Sequence, residues 1–412
     1  MSFVLRKNLL LLKEKYANIS VVENSLYLTK IHFKDLLHVL SIETDDTTLN
    51  LMCLWQTYEI LLFNGYDRES LLQHHFLFTI QDLLYDSLSL LLISPDLSKK
   101  NILKCLEHVT YKGELLSSWN ASENIGMVCS TLSTYLLLFY SIQKYLEVSE
   151  DYAILNGEYS YLLTRLGREK EVYFKFTTYH DSFYQHLEKI LNFVLENEKF
   201  NSNIILYQIL VFFVSITKIY NKNKDITFYR EKLQSLDKEG MKKILSNDDM
   251  IYKLIFNYST LNDEKDWIEN LTCSKLLKIC VLAKFGQIDK AYHLYKNLSS
   301  LYQTATKKRI DRYKKEPYFS NQNSLHFFLF LELFLGVKKQ GKRIFISPTL
   351  PTCIKSFKLY YKYYSTIYEI YVFKSQKKDT IIIDGEKAIY ISLKNDYKKH
   401  IVEIYYKEKN CL

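Results

Sequence analysis

The chain has 412 residues and a net charge of +9, and it contains only 10 glycines and 4 prolines. With 48% hydrophobic and 25% charged residues, this composition excludes collagen-like, proline-rich and globally disordered chains, and it disfavours nucleotide folds built on glycine loops. The densest basic stretch, residues 307–315, is interpreted as a solvated helix end, so no nucleic-acid partner is expected.

The seven cysteines include no C-x-x-C pair, which indicates buried thiols in a reducing compartment, and we predict a cytoplasmic protein. Cys273 and Cys280 lie seven residues apart on one helix face, where core packing is favoured over metal binding. We predict neither a metal ion nor a cofactor. The apolar run Leu9–Leu12 is too short for a signal peptide, and no 18-residue apolar run predicts a membrane span.

In chain order, residues 1–40 are predicted to form an N-terminal helical extension or linker. From about residue 46 to residue 336, apolar side chains recur at spacings of three and four, which is typical of helices. One such stripe comprises Leu51, Leu54, Trp55, Tyr58, Leu61 and Leu62. Ser94 followed by Pro95 predicts a helix start. No repeat of 30–45 residues is visible, so a closed helical barrel is favoured over a solenoid.

The sequence pattern changes after Gly336. Residues 356–373 are rich in β-branched and aromatic residues with period-two sections, which is typical of strands. Asp384 and Gly385 separate two further apolar runs, and this pair predicts a tight hairpin. Residues 400–406 predict one more strand, so we expect a small antiparallel β domain over residues 342–412.

Several segments in this order resemble the catalytic part of glycoside hydrolase family 94, which contains inverting phosphorylases such as cellobiose phosphorylase and the C-terminal region of cyclic β-1,2-glucan synthases. The most specific matches are RYKKEPY at 312–318 and ISPTLP at 346–351; others are SIETDDTTLNLMCLWQTYEILLF at 41–63 and QDLLYDSLSL at 81–90.

The resemblance implies a mainly α fold. An (α/α)6 barrel of the six-hairpin glycosidase type would span residues 41–336, and a small antiparallel, β-sandwich-like domain would follow at 342–412. The large N-terminal β-sandwich of the family is expected to be missing, because only about 40 residues precede the match.

Inverting phosphorolysis requires a protonated carboxyl group at the leaving oxygen, while phosphate itself is the nucleophile. The family carries this acid in a D-W-N-D-G motif after the helix that matches residues 184–196, and that motif is missing from this sequence. Asp266-Trp267-Ile268-Glu269-Asn270 resembles it in letters, but it lies only about 45 residues before RYKKEPY. We therefore predict no catalytic residue. Two interpretations of Glu269 and Asp266 stay open. One of them could serve as a relocated catalytic acid, or they could have a surface or helix-capping role, which is the favoured interpretation.

The resemblance also implies substrate-binding positions at Asp82, Asp86, Trp119 and Asn270. Asp82 and Asp86 match the two aspartates of the family's F-R-D-Q-x-Q-D element, whose arginine and glutamines are replaced here by Gln81, Leu83 and Tyr85. The aspartates are either a vestigial sugar site or an ordinary solvated helix face, and Trp119 is either a binding or a core residue. The family's glycine-rich phosphate loop is replaced by residues 320–327, so no phosphate cradle is evident.

Three functions remain open. The first is a catalytically inactive pseudoenzyme that binds a β-glucan or oligosaccharide or acts as partner to another enzyme. The second is a divergent active inverting phosphorylase or hydrolase acting on β-glucosides. The third is a protein-interaction scaffold unrelated to sugars, favoured by the 35 tyrosines. A missing N-terminal domain would leave apolar surface uncovered, so we expect a homo-oligomer or a partner enzyme.

Overall fold

A computed structural model of the chain describes residues 13–65, 78–120, 123–167, 171–200, 202–220, 223–240, 275–298, 322–375 and 379–407. Its helices are α1 Ile19–Leu37, α2 Thr47–Gly65, α3 Ile80–Leu90, α4 Pro95–Leu106, α5 Leu132–Ser149, α6 Phe183–Glu196, α7 Asn203–Ile219, α8 Asn223–Gly240, α9 Lys275–Lys284, α10 at 288–298 and α11 Gln322–Leu329. A π-helical turn, Phe330–Phe334, follows α11.

The strands are β1 Leu40–Thr44, β2 Phe78–Thr79, β3 Leu116–Asn120, β4 Ile125–Val128, β5 Glu158–Leu166, β6 Glu171–Ser182, β7 Val337–Gln340, β8 Arg343–Ile346, β9 Ser356–Tyr363, β10 Thr366–Ser375, β11 Thr380–Ile383, β12 Glu386–Ala388, β13 Ile391–Ser392 and β14 Lys399–Lys407. They form sheets in the orders β1-β9-β10-β14-β11-β12, β2-β3-β4-β6-β5 and β13-β8-β7.

Helix starts follow local side-chain chemistry. The predicted start at Ser94-Pro95 is confirmed, with Pro95 in the first turn of α4, where its missing N–H removes no helical hydrogen bond. Helix α6 begins at a capping box in which Ser182 and Gln185 exchange hydrogen bonds. This box fixes the direction in which α6 leaves strand β6.

The C-terminal sheet differs from the antiparallel domain predicted from the sequence. Strand β10 pairs with β14 in parallel over nine residues, so the antiparallel expectation is wrong at this pair. The reason is the connection, because the β11–β12 hairpin and β13 lie between the two strands and return the chain to the same end of the sheet. The predicted hairpin itself is confirmed: β11 pairs with β12, and Asp384 and Gly385 both have positive φ angles.

The same sheet takes in a strand from the N-terminal part of the chain. Strand β1 pairs antiparallel with β9, Leu40 opposite Tyr361 and Thr44 opposite Phe357. These residues precede or begin the region assigned from the sequence to the helical domain. The C-terminal sheet thus contains strands from both sides of the predicted domain boundary. The boundaries at 336 and 342 stay a prediction.

The expectation of a continuously helical region from 46 to 336 is wrong at the five-stranded sheet. In β6, Val172 and Phe174 are buried while Tyr173 and Lys175 are exposed. This period-two burial is the pattern of a half-buried strand. Over short windows, the apolar residues in β5 and β6 fit the strand spacing of two as well as the helical spacing of three and four. Counting apolar residues at helical spacing therefore missed the sheet.

Two apolar cores stabilise the described residues. One lies between helices α3 to α8 and the five-stranded sheet. The other joins α2, α9, α10 and α11 to the C-terminal sheet. The chain is thus mainly helical around two mixed cores, and closure of its helices into an (α/α)6 barrel stays a prediction. Within the part that the structure describes, no helix is long and apolar enough to cross a membrane.

The apolar stripe predicts the helix α2, but the helix buries only part of that stripe, with Leu61 1% exposed. Met52, Cys53 and Ile60 are buried, whereas Leu51, Leu54 and Trp55 are 68%, 46% and 46% exposed. The buried side also carries polar side chains that hydrogen-bond within the core, namely Gln56, Thr57 and Asn64. The apolar stripe therefore indicates a helix but does not coincide with its buried side.

Candidate functional site

Asp86, a predicted substrate-binding residue, lies inside a hydrogen-bond network between helices. It is 2% exposed. Its Oδ2 accepts a hydrogen bond from Asn64 Nδ2 at 2.9 Å, and its Oδ1 accepts one from the hydroxyl of Ser324. Asn101 Nδ2 in turn donates to Asn64 Oδ1 at 2.8 Å. The carboxylate thereby connects α2, α3, α4 and α11, and it is enclosed rather than presented to a ligand.

Asp82 lies one turn earlier on α3 and is half-buried. Its backbone N–H donates to the side chain of Thr79 at 3.2 Å, which caps the helix. Burial, followed by the negative charge of Asp82, raises the pKa of the neighbouring Tyr85. The two aspartates thus share a helix but differ in depth, and Asp82 is the one that solvent reaches.

Trp119 belongs to strand β3 and is fully buried. Its ring stacks on His108 at a centroid distance of 3.8 Å and lies parallel to Phe78 at 5.9 Å. Its indole Nε1–H has no hydrogen-bond partner among the described residues. A ring with no exposed surface offers no platform for sugar stacking, so this placement favours the core interpretation of Trp119.

The alternative acids Glu269 and Asp266, the substrate-binding Asn270, Cys273 and the RYKKEPY element all lie outside the described residues. Their predicted roles stay predictions. Across the described ranges, no group of three or more histidine, cysteine, aspartate and glutamate side chains is arranged to hold a metal ion.

A cluster that the sequence did not single out surrounds the end of strand β6. Asp181 is 9% exposed and accepts hydrogen bonds from Lys189 Nζ at 2.9 Å and Tyr161 Oη at 2.9 Å. Tyr179 Oη donates to its second oxygen at 3.0 Å. We call this group the Asp181 cluster; its members are Tyr111, Tyr161, Tyr179, Asp181, His186 and Lys189.

The lysine of the Asp181 cluster lies against aromatic rings as well as the carboxylate. Lys189 Nζ is 4.3 Å from the ring centroid of Tyr111 and 4.1 Å from that of Tyr161. His186 stacks on Tyr161 at 3.9 Å. An ammonium between aromatic faces and a carboxylate gains cation–π and ionic attraction together. The cluster therefore holds the chain's own lysine where a cationic ligand would otherwise fit.

The electrostatics of this cluster favour the ionised form of Asp181. Burial alone would raise the pKa of Asp181, but the hydrogen bonds from Lys189, Tyr161 and Tyr179 outweigh it and hold the pKa below its ordinary value. An ionised carboxylate has no proton to give to a leaving oxygen. Glu107 shows the opposite shift. Burial raises its pKa, and the positive charge of the nearby Lys104 offsets only part of this increase.

Sequence reasoning missed the Asp181 cluster because its members come from three separate segments. Tyr111 lies in the loop after α4, Tyr161 in β5, and Asp181 and Lys189 are eight residues apart across a strand–helix junction. One signal was present, since Ser182 and Gln185 form a helix-capping pattern that places Asp181 just ahead of a helix. Nothing in the sequence indicated that β5 would bring Tyr161 to it.

No model of a protein family matches the chain, and no curated protein matches it. Among solved structures, it is similar to one described as "Putative kojibiose phosphorylase from human microbiome". The TM-score is 0.59, the match covers 96% of this chain and 73% of that one, and 11% of the aligned residues are identical. At this identity the similarity concerns the fold. The chain thus has a glycoside phosphorylase-like fold, while membership of family 94 stays a prediction.

Proposed function

We propose that this chain is a carbohydrate-related pseudoenzyme: it keeps a phosphorylase-like fold, lacks turnover, and acts as a glycan-binding or partner subunit. The proposal combines the similarity of fold to the phosphorylase structure with the missing D-W-N-D-G motif in the sequence.

The observation that carries the proposal is the enclosure of two of the sugar-binding candidates, Asp86 and Trp119. Asp86 is hydrogen-bonded to Asn64 and Ser324 in the interior, and Trp119 is fully buried. A sugar site reads hydroxyl groups with accessible donors and acceptors. Side chains that serve the core in this way support loss of the ancestral sugar pocket rather than its conservation.

Turnover is tested by incubating the purified full-length chain with phosphate and a panel of β-linked gluco-oligosaccharides, with kojibiose added because of the similar structure's description. Release of sugar 1-phosphate is followed, and the reverse reaction is followed as phosphate release. We expect no reaction with any substrate. Turnover that Glu269→Gln or Asp266→Asn abolishes would overturn the pseudoenzyme proposal and make the chain a divergent phosphorylase.

Glycan binding is tested separately by titration calorimetry with the same oligosaccharides. If the vestigial site still binds, Asp82→Ala should weaken binding about tenfold, because a lost hydrogen bond to a ligand costs about 1.4 kcal/mol. Asp96→Ala, on the exposed first turn of α4, is the matched control and should bind as the unmodified chain does. Absence of binding across the panel would favour the partner-subunit or scaffold role over glycan binding.

A further inference from the structure

Helix α1 is unusual in burying none of its residues. It spans 19 residues and is preceded by the N-cap Asn18, whose side chain accepts a hydrogen bond from the backbone of Ser20. Ile19, Val22 and Leu26 are 74%, 43% and 55% exposed. Most helical stability in proteins comes from packing of an apolar face, and α1 packs Leu36 and Leu37, at its C-terminal end, against the core that includes α2. The exposed apolar side chains of α1 therefore indicate a surface that another molecule covers.

The neighbouring helix α2 extends this surface. Its outward stripe of Leu51, Leu54 and Trp55 continues from α1 through ring contacts, with Phe33 and Tyr58 at a centroid distance of 5.3 Å and Trp55 and Tyr58 at 5.6 Å. A groove of about 600 Å³ runs between the two helices. We call this surface the α1–α2 face; it comprises Ile19, Val22, Leu26 and Phe33, which share one side of α1, with Leu51, Leu54, Trp55 and Tyr58 of α2.

The apolar character of the α1–α2 face is contiguous, which separates it from other exposed apolar residues. Leu166 at the end of β5 and Ile389 after β12 are more exposed, at 85% and 88%, but each stands apart from the two-helix surface. Single exposed apolar residues are normal on proteins, whereas contiguous patches mark interaction sites. The α1–α2 face is a contiguous patch of this kind.

The charges along α1 indicate which molecule covers the face. Glu23 lies in the first half of the helix, and Lys30 and Lys34 lie in the second half, where Asp35 is turned about 100° away from Lys34. Separations of 7 and 11 residues are close to two and three turns, so all three project from the same side. When two copies of α1 lie antiparallel, Glu23 of each copy faces Lys30 and Lys34 of the other. The opposed helix dipoles add to this attraction.

We propose that the α1–α2 face is the contact surface with a second copy of this chain, in a two-fold dimer whose α1 helices pack antiparallel. A two-fold contact requires a self-complementary surface, and α1 supplies both signs of charge along one apolar helix. A foreign acidic helix would match Lys30 and Lys34 but would meet Glu23 with like charge. The inference is independent of the proposed pseudoenzyme function, because catalytic activity and oligomeric state are measured separately.

The first test is the mass of the full-length chain by light scattering and sedimentation equilibrium at micromolar concentration. We expect a dimer. Leu26→Asp and Trp55→Asp should each weaken it at least a hundredfold, since a charge replaces a buried apolar group. Leu166→Asp and Ile389→Asp are matched controls on remote surfaces and should leave the mass unchanged. Circular dichroism establishes that each variant is folded.

The second test separates a second copy from any other occupant. Glu23→Lys alone, and Lys30→Glu with Lys34→Glu, each place like charges opposite one another and should weaken the dimer about tenfold or more. Mixing the two variants should restore a mixed dimer, because opposite charges again face each other. A monomeric unmodified chain would overturn the proposal, as would a dimer that Leu26→Asp leaves intact or variants that fail to pair when mixed.

Discussion

At Asp181, a nearly buried carboxylate receives three side-chain hydrogen bonds, and Lys189 is its cation. Lys189→Met would keep the apolar stem but leave the carboxylate without its counter-charge. Because Lys189 is partly exposed and the two tyrosines stay hydrogen-bonded to the carboxylate, we expect the free energy of unfolding to fall by about 1–2 kcal/mol, between the values for exposed and buried pairs. Urea denaturation followed by circular dichroism measures this loss.

Lys175→Met provides the comparison for this change, because Lys175 is exposed on the same strand as Asp181. It should alter the free energy of unfolding by no more than about 0.5 kcal/mol. Equal effects of the two substitutions would show that Lys189 acts only through its apolar stem and that the ion pair contributes nothing.

Among the elements, the β11–β12 hairpin depends on a glycine for its backbone conformation. Gly385 has φ +88°, and an added Cβ would have no atom within 4 Å. Gly385→Ala should therefore cost only the strain of the left-handed conformation, about 1–2 kcal/mol. Gly336, with φ +63°, differs because an added Cβ would lie 1.9 Å from the carbonyl oxygen of Ser347.

Gly336→Ala is the informative counterpart, since it combines the same conformational strain with a collision against backbone. Thermal unfolding should show a clearly larger loss for Gly336→Ala than for Gly385→Ala. Equal losses in the two variants would contradict the close approach of the chain at Gly336.

At the scale of the molecule, burial lowers the pKa of three histidines among the described residues, His108, His186 and His326, and the shifts at His108 and His326 are large enough to link stability to pH. Burial disfavours the imidazolium and lowers the pKa of His108 and of His326 to about 4. The unfolded chain, with histidine pKa values of about 6.5, binds more protons between pH 6.5 and 4. The free energy of unfolding therefore decreases as the pH falls through this window, by up to about 3 kcal/mol for each histidine.

Urea midpoints at pH 7.5, 5.5 and 4.5 measure this dependence. His108→Gln and His326→Gln should each flatten the slope, whatever their absolute stability, while His180→Gln, at an exposed position, should leave it unchanged. A midpoint that stays constant from pH 7.5 to 4.5 would contradict the buried neutral state of both histidines.

The predictability of the fold and site differs from residue to residue for physical reasons. The Ser94-Pro95 helix start and the Asp384-Gly385 turn could be predicted because each depends on backbone preferences of two adjacent residues. The exposed side of α2 and the parallel pairing of β10 with β14 could not be predicted in this way. Both depend on which other elements pack against the helix or lie between the strands, and not on the local sequence. The exposure of Leu51 and the enclosure of Asp86 are decided by neighbours distant in sequence.

The pairing of β1 with β9 has a consequence for synthesis of the protein. The two strands are more than 300 residues apart, and a ribosome adding about 5–20 residues per second needs roughly 15–65 s to cover that separation. Until β9 emerges, the nascent chain carries β1 with its backbone edge unsatisfied. We therefore expect the first strand to remain a substrate for ribosome-associated chaperones until β9 has been synthesised.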